Sequence, residues 1–166
     1  MRNLYMMLCI ACVLLFCGWA GVRFVEGIQF TRNISGYLKR AADANSVDLA
    51  IENMTIAINH IEAEGMTGGY TSTLYTSPSE DVGFWFQNLT TSLTNLRSVK
   101  PGASALEQTN ILIKLRETLL DHTQSGESVT VPTGISVYPS NLEFAVWGWF
   151  SIIASIVFGV FWIREL

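Results

Sequence analysis

An uninterrupted apolar run near the C-terminus constrains this chain more than any other feature. No charged residue occurs from Phe144 to Ile163. As a helix with a rise of about 1.5 Å per residue, this run is roughly 30 Å long, which matches the hydrocarbon core of a bilayer. We therefore predict a transmembrane helix within 140–166, and a capping box formed by Ser140 and Glu143 predicts where it begins.

A second apolar run opens the chain. No charged residue occurs from Asn3 to Val22. A signal peptide is the alternative interpretation, but the run is long for the apolar region of a signal peptide and offers no convincing small-x-small cleavage site, and Cys17 follows Leu-Leu-Phe, which does not suit a lipoprotein. We expect an uncleaved transmembrane helix over 1–23.

Tryptophans lie near the ends of both apolar runs. Trp147 and Trp149 are close to the start of the C-terminal run, Trp162 is close to its end, and Trp19 is close to the end of the N-terminal run. Tryptophan is enriched where a membrane meets water, because its ring is apolar and its N–H needs a polar partner. We expect these four residues to be membrane-interface anchors.

The segment 24–139 must leave the membrane and return to it. Apolar residues follow helical spacing over 37–61, 82–96 and 105–120, which predicts three helices that each bury one face. Capping boxes beginning at Ser77 and Ser104 predict where the second and third helices start. Pro101 with Gly102 predicts the end of the second.

The segment 128–139 follows these three helical segments and does not have helical spacing. Pro132 and Gly134 would break a helix there, so we predict short extended pieces or a hairpin. The predicted fold class is mainly α, a membrane-anchored helical bundle with two transmembrane helices, one at each end of the chain. Its extramembrane domain is 24–139.

Composition and motifs do not favour catalysis or nucleic-acid binding. The net charge is −4 and the pI is about 5.1, whereas nucleic-acid binding requires a basic face. No G-x-S-x-G elbow or phosphate-binding loop occurs. His60 and Glu64 are one helical turn apart but supply only two of the three or four ligands of a metal site. We therefore expect no enzyme activity, no catalytic residue, no metal and no cofactor.

Small residues recur within both apolar runs. Ser151, Ser155 and Gly159 are spaced by four residues, and Cys17 and Gly21 form a shorter pair of the same kind. Small residues on one face let two membrane helices approach closely. They indicate either docking to a protein partner or a second copy, or packing of the chain's own two helices against each other. Cys9-x-x-Cys12 has the spacing of a redox pair, but its apolar surroundings favour packing.

Aromatic residues cluster at the start of the second predicted helix. Phe84 and Trp85 form a candidate docking patch, although core packing or a ligand pocket would need the same residue types. Phe86 lies on the apolar stripe and Phe84 is roughly 200° away around the helix. Phe84 should therefore be more exposed than Phe86.

Two apolar helices at opposite ends of the chain place both termini on one side of the membrane. Arg2 and Arg164 lie at that end, whereas Arg23, Arg32, Lys39 and Arg40 lie on the domain side near the first run. Because a long loop counts for less in the positive-inside rule, we expect cytoplasmic termini and a non-cytoplasmic domain. The layout resembles the periplasmic sensing part of bacterial chemoreceptors in topology, which implies a small-ligand sensing module. Leu166 follows the last apolar run closely, without an output domain. We therefore favour an accessory or scaffolding subunit whose partners are membrane lipid and protein.

Overall fold

The computed structural model describes residues 1–100, 102–123 and 126–165, with the backbone alone at 122 and 123. The chain is mainly helical (74%), and two helices at its N- and C-terminal ends are long and apolar enough to cross a membrane. Pro101, predicted to end a helix, and Leu166, the last residue of the predicted C-terminal helix, lie outside the described residues.

Six α-helices and one β-hairpin make up the described chain. Short 3₁₀ turns at Pro78–Glu80 and Ile135–Val137 lie between them. The elements in chain order are α1 (Arg2–Phe30), a π-helical segment (Thr31–Ser35), α2 (Gly36–Ala42), α3 (Val47–Ala63), α4 (Val82–Arg97), α5 (Ala105–Leu119), β1 (Leu120–Thr123), β2 (Gly126–Val129) and α6 (Asn141–Arg164).

The first helix continues without a break from the apolar run into the domain. A single helical rod runs over Arg2–Ala42, because the π-helical segment joins α1 to α2. Gly36 permits this wider turn, since a Cβ at that position would lie 2.9 Å from the carbonyl oxygen of Thr31. Phe30, Ile34 and Leu38 lie in the domain core, so the rod is also one wall of that core.

The predicted helix over 37–61 is interrupted, which corrects the sequence interpretation. The rod ends at Ala42, and α3 begins at Val47 after Ser46, whose hydroxyl accepts a hydrogen bond from the backbone N–H of Leu49 at 3.3 Å. The four residues of the connection are about one helical turn, so the apolar spacing stays in phase across the break and conceals it. The chain turns back here, and α3 packs against α2.

The start of α4 also differs from the predicted one. Ser77 donates a hydrogen bond to the Glu80 carboxylate at 2.5 Å, but the residues after it form only a 3₁₀ turn. Asp81 is the N-cap of α4, and its carboxylate accepts from the backbone N–H of Phe84 at 2.8 Å. Ser104 is confirmed as the N-cap of α5, since its hydroxyl accepts from the N–H of Glu107 at 3.2 Å.

The hairpin begins earlier than the sequence indicates. Leu120 was assigned to the third helical stripe, but it begins β1 and pairs with Val129 in an antiparallel register. Gly126, with φ of 125°, opens β2 in a backbone conformation that glycine adopts readily. The hairpin lies beside the core, where Leu119 and Leu120 are buried.

The last helix begins near the predicted residue without the predicted cap. Ser140 precedes α6, but its side chain makes no capping hydrogen bond, so the proposed box with Glu143 is wrong. The helix then runs back along α1: Tyr5 stacks on Phe161 with ring centroids 5.5 Å apart, and Trp19 contacts Phe144. The two long helices are therefore antiparallel, with both termini at the end away from the domain.

Candidate functional site

The small-residue stripe of α6 faces α1. Ser151 is completely buried, and its hydroxyl donates to the carbonyl oxygen of Trp147 at 2.8 Å. Ser155 donates in the same way to Ser151 at 2.6 Å. Both hydroxyls therefore have their hydrogen-bond partners within α6. The two side chains are small, and neither needs a polar partner on α1. In the structure the chain's own α1 lies on this stripe.

Cysteines of α1 fill the space opposite this stripe. The thiol of Cys9 lies 3.5 Å from the carbonyl oxygen of Ser155, and a Cβ at Gly159 would lie 3.8 Å from the same sulfur. Cys12 is buried in the helix pair. The Cys9-x-x-Cys12 spacing thus serves packing, which is the role that its apolar surroundings favoured.

Trp19 packs between α1 and α6 at the domain end of the helix pair. Trp19 Nε1 donates to the carbonyl oxygen of Phe144 at 2.8 Å, and its ring covers Gly148. Arg23 lies over the same ring, with its guanidinium carbon 5.8 Å from the centroid. Trp147 packs near Gly18, at 3.7 Å from a Cβ placed there.

The remaining tryptophans are placed at both ends of the pair. Trp149 lies near the domain end and is 67% exposed. Trp162 is half-buried beside Phe161, near the chain termini. Trp19 and Trp147 are half-buried, so these two have a packing role in addition to the predicted interface role.

The face of α1 that points away from α6 is uncovered. Cys17 and Gly21 lie on it, and a Cβ at Gly21 would meet no atom within 4 Å. Of the two interpretations of this pair, packing of the chain's own two helices against each other is therefore wrong for Cys17 and Gly21. Exposed residues along this face are spaced alternately by three and four positions: Met7, Ile10, Leu14, Cys17, Gly21, Phe24 and Ile28. This face cannot be recognised in the sequence, because apolar residues fill the intervening positions as well.

Of the two residues of the candidate docking patch, only Phe84 is exposed. Phe84 is 60% exposed and Phe86 is half-buried, as the helical phase predicts. Trp85 is only 7% exposed, and its Nε1 donates to the carbonyl oxygen of Thr130 at 3.0 Å. Trp85 is therefore a core residue that fixes the chain after β2 against α4, and it is not available to a partner.

A cleft of about 220 Å³ lies at the foot of the domain, between the helical rod, the end of α3 and the chain leading into α6. His60 and Glu64 line it, as their spacing of one helical turn allows, and Glu26 and Asn33 of the rod face them. Glu26 and Asn33 could not be assigned to this cleft from the sequence, because they are remote from His60 and Glu64 in the chain. Among the described residues, no group of three His, Cys, Asp or Glu side chains is placed to hold a metal ion. Two carboxylates beside amide groups suit an organic cation instead.

No protein-family model, curated protein or solved structure matches this chain. Three features of the structure bear on function. They are the closed contact between α1 and α6, the uncovered heptad face of α1 and the cleft beside Glu26 and Glu64.

Proposed function

We propose that this protein is a non-enzymatic integral membrane protein, an accessory or scaffolding subunit of a larger membrane complex. In the proposal α1 and α6 cross the bilayer as an antiparallel pair. Only 6% and 11% of the residues in their most apolar stretches are buried within the chain. Core helices of water-soluble proteins bury most of their apolar residues, so this exposure supports a lipid environment.

The proposed orientation puts the domain on the non-cytoplasmic side and both termini in the cytoplasm. Arg2 and Arg164 lie at the end of the helix pair that carries the termini, and cytoplasmic ends favour positive residues. The N-terminal helix is retained in the proposal, because it supplies the rod that walls the domain core. A membrane-impermeant label at Leu106, which is 71% exposed, should react from the non-cytoplasmic side only. An intact mass that includes residues 1–23 would establish retention.

The uncovered heptad face of α1 is the observation that carries the accessory role. The face is apolar along its length and carries the small residues Cys17 and Gly21, beside which another membrane helix can approach closely. Phe24 and Ile28 continue the pattern beyond Arg23 and are 70% and 51% exposed, so the face extends past the apolar run. The proposal assigns this face to a helix of a larger membrane protein, with close approach at Gly21.

A pair of glycine substitutions tests this assignment in native membranes. Gly21→Leu should reduce the share of the protein that migrates in a large complex on native gels, because the new side chain blocks close approach. It should leave the melting temperature of the purified monomer unchanged, since nothing lies within 4 Å of that position. Gly159→Leu is the matched variant, because it alters the internal contact. A Gly21→Leu protein that keeps its complex would overturn docking through this face.

Oxidative crosslinking at the native cysteine identifies the occupant of the face. Cys17 is exposed on the heptad face, whereas Cys12 is buried against α6. Copper-phenanthroline treatment should not produce a Cys17-dependent homodimer if the occupant is another protein. A homodimer that disappears in Cys17→Ser would assign the face to a second copy of this chain and contradict the accessory role.

The cleft favours a second candidate function, the sensing of a small ligand. Its two carboxylates, Glu26 and Glu64, with the amide of Asn33, fit an organic amine in a volume of about 220 Å³. The helical rod that forms one wall would connect such a site directly to α1. Ethanolamine and putrescine are suitable probes in thermal-shift measurements. Stabilisation that is lost in Glu26→Gln with Glu64→Gln, and kept in the control Glu62→Gln, would support sensing; the absence of any shift would contradict it.

A further inference from the structure

We propose that the loop over residues 70–77 is a third membrane contact, whose tip, Leu74 and Tyr75, enters the boundary between lipid headgroups and acyl chains. Leu74 is 91% exposed and Tyr75 is 76% exposed. This inference rests on the proposed crossing of the bilayer by α1 and α6. The occupant of the tip is the lipid that surrounds those helices.

The loop lies beside the domain end of the helix pair. A cleft of about 320 Å³ is lined on one side by the loop, including Leu74 and Tyr75, and on the other by Trp19, Phe144 and Ala145. Phe144 is the first residue of the C-terminal apolar run. The loop tip is therefore close to the level at which the long helices begin to be apolar.

Two neighbouring side chains mark the depth of this level. Trp19 and Arg23 both line the same cleft, and the guanidinium of Arg23 lies over the Trp19 ring. Tryptophan prefers the lipid–water boundary, and arginine at the end of a membrane helix extends its charge toward the headgroups. A loop at this height meets headgroups and upper acyl chains.

The base of the loop is held firmly, so its exposed tip is a fixed feature. Thr71 is 4% exposed, its hydroxyl donates to the carbonyl oxygen of Thr133 at 2.6 Å, and its N–H donates to that of Glu80 at 3.0 Å. Ser72 bonds to the backbone of Tyr75 across the tip. These bonds close a tight turn that presents Leu74 outward.

The composition of the loop agrees with lipid as its occupant. No charged residue occurs over 65–79, so insertion would not desolvate an ionic group. Interfacial segments combine aliphatic and aromatic residues with polar groups that can bond to headgroups. Threonine and serine flank Leu74 and Tyr75 in this way. A soluble protein partner would have to reach a surface that lies against the helix pair.

Fluorescence quenching in phosphatidylcholine nanodiscs tests the inference on the full chain. An environment-sensitive fluorophore is attached through a genetically encoded reactive amino acid at Leu74, which leaves the native cysteines in place. Nitroxides are placed either near the carbonyl end of the acyl chains or near the terminal methyl. We expect quenching by the shallow nitroxide to exceed that by the deep one by about twofold, because interfacial side chains enter only about 5–10 Å.

Two control positions separate failure of this inference from failure of the two-helix proposal. Phe150 is 64% exposed in the apolar run of α6, and Leu106 is 71% exposed on α5 beside Glu107 and Lys114. Quenching is expected at 150 and not at 106. Quenching at 150 without quenching at 74 would overturn the loop contact alone, and no quenching at 150 would overturn the membrane crossing. Equal quenching at 74 and 106 would also overturn the inference, because the contact would not be specific to the loop.

Discussion

The indole ring of Trp19 lies directly against Gly148. A Cβ placed at Gly148 would be 2.9 Å from Cε2 of that ring, a distance that normal side chains do not show, and the same indole donates its N–H to the carbonyl oxygen of Phe144 at 2.8 Å. The ring can occupy this position because residue 148 has no side chain. The carbonyl oxygen of Phe144 holds it there by accepting its N–H. This contact holds α1 to α6 at the point where the helical rod enters the domain.

Gly148→Ala should destabilise the protein by about 1–3 kcal/mol, because the ring has to move away from the added methyl. Gly21→Ala is the matched control, since nothing lies within 4 Å of its Cβ position; the change should be neutral or stabilising, because alanine favours a helix over glycine. Thermal unfolding of the full chain in nanodiscs measures both. A Gly148→Ala protein as stable as Gly21→Ala would contradict the packing described for Trp19.

Gly159 gives a graded test of the other end of the helix pair. A Cβ there would lie 3.8 Å from the Cys9 sulfur, which is an ordinary contact, so Gly159→Ala should be tolerated. Gly159→Leu adds three further carbons to the same space and should lower the melting temperature of the isolated monomer through overpacking. Equal melting temperatures for the leucine and alanine variants would show that the contact with Cys9 does not contribute to stability.

The helices of this chain were largely predictable from sequence, and their ends were less so. Charge-free length located both apolar helices, and apolar spacing located the helical faces of the domain. Spacing did not detect the turn before Ser46, since a four-residue connection keeps the pattern in phase. Both Ser77 and Asp81 can cap a helix, and the sequence does not show that Asp81 pairs with the remote Tyr70 where α4 begins.

The candidate sites were predictable only where their residues are neighbours in the chain. The thin stripe with Ser151 was visible from its spacing, but the helix that covers it could not be identified, because any close-packed helix satisfies the pattern. For Trp85 the sequence left docking, core packing and a ligand pocket open, because its partner, the carbonyl oxygen of Thr130, is remote in the chain. The cleft joins Glu26 to Glu64 across the fold, and sequence alone provides no pairing of this kind.

Asp81→Ala should cost about 1 kcal/mol of stability, because the carboxylate accepts the N–H of Phe84 at the first turn of α4. Ser77→Ala should cost less, since Ser77 precedes only the 3₁₀ turn and its bond to Glu80 is between side chains. The comparison uses chemical unfolding of the full chain in one detergent. A larger loss for Ser77→Ala would return the helix start to the position that the sequence suggested.

Leucines of α4 should show the cost of emptying the core. Leu89 and Leu93 are 2% and 6% exposed, whereas Leu106 is 71% exposed. Leu89→Ala and Leu93→Ala should each cost about 2–5 kcal/mol through lost burial and the cavity left behind. Leu106→Ala should change stability by less than about 0.5 kcal/mol. Similar values for all three variants in denaturant titrations would place the α4 stripe at the surface.

Trp85 and Phe84 are adjacent residues for which the structure predicts opposite behaviour. Trp85→Phe keeps most of the buried ring but leaves the Thr130 carbonyl oxygen without its donor, which should cost about 1–3 kcal/mol. Phe84→Ala removes an exposed ring and should change stability by no more than about 0.5 kcal/mol. Unfolding of both variants in the same detergent provides the comparison.

Amide exchange tests the same bond directly. Since the lost bond joins α4 to the chain after β2, amide exchange near residue 130 should rise in Trp85→Phe and stay unchanged in Phe84→Ala. Equal exchange in the two variants would mean that the Trp85 N–H does not hold this segment in place.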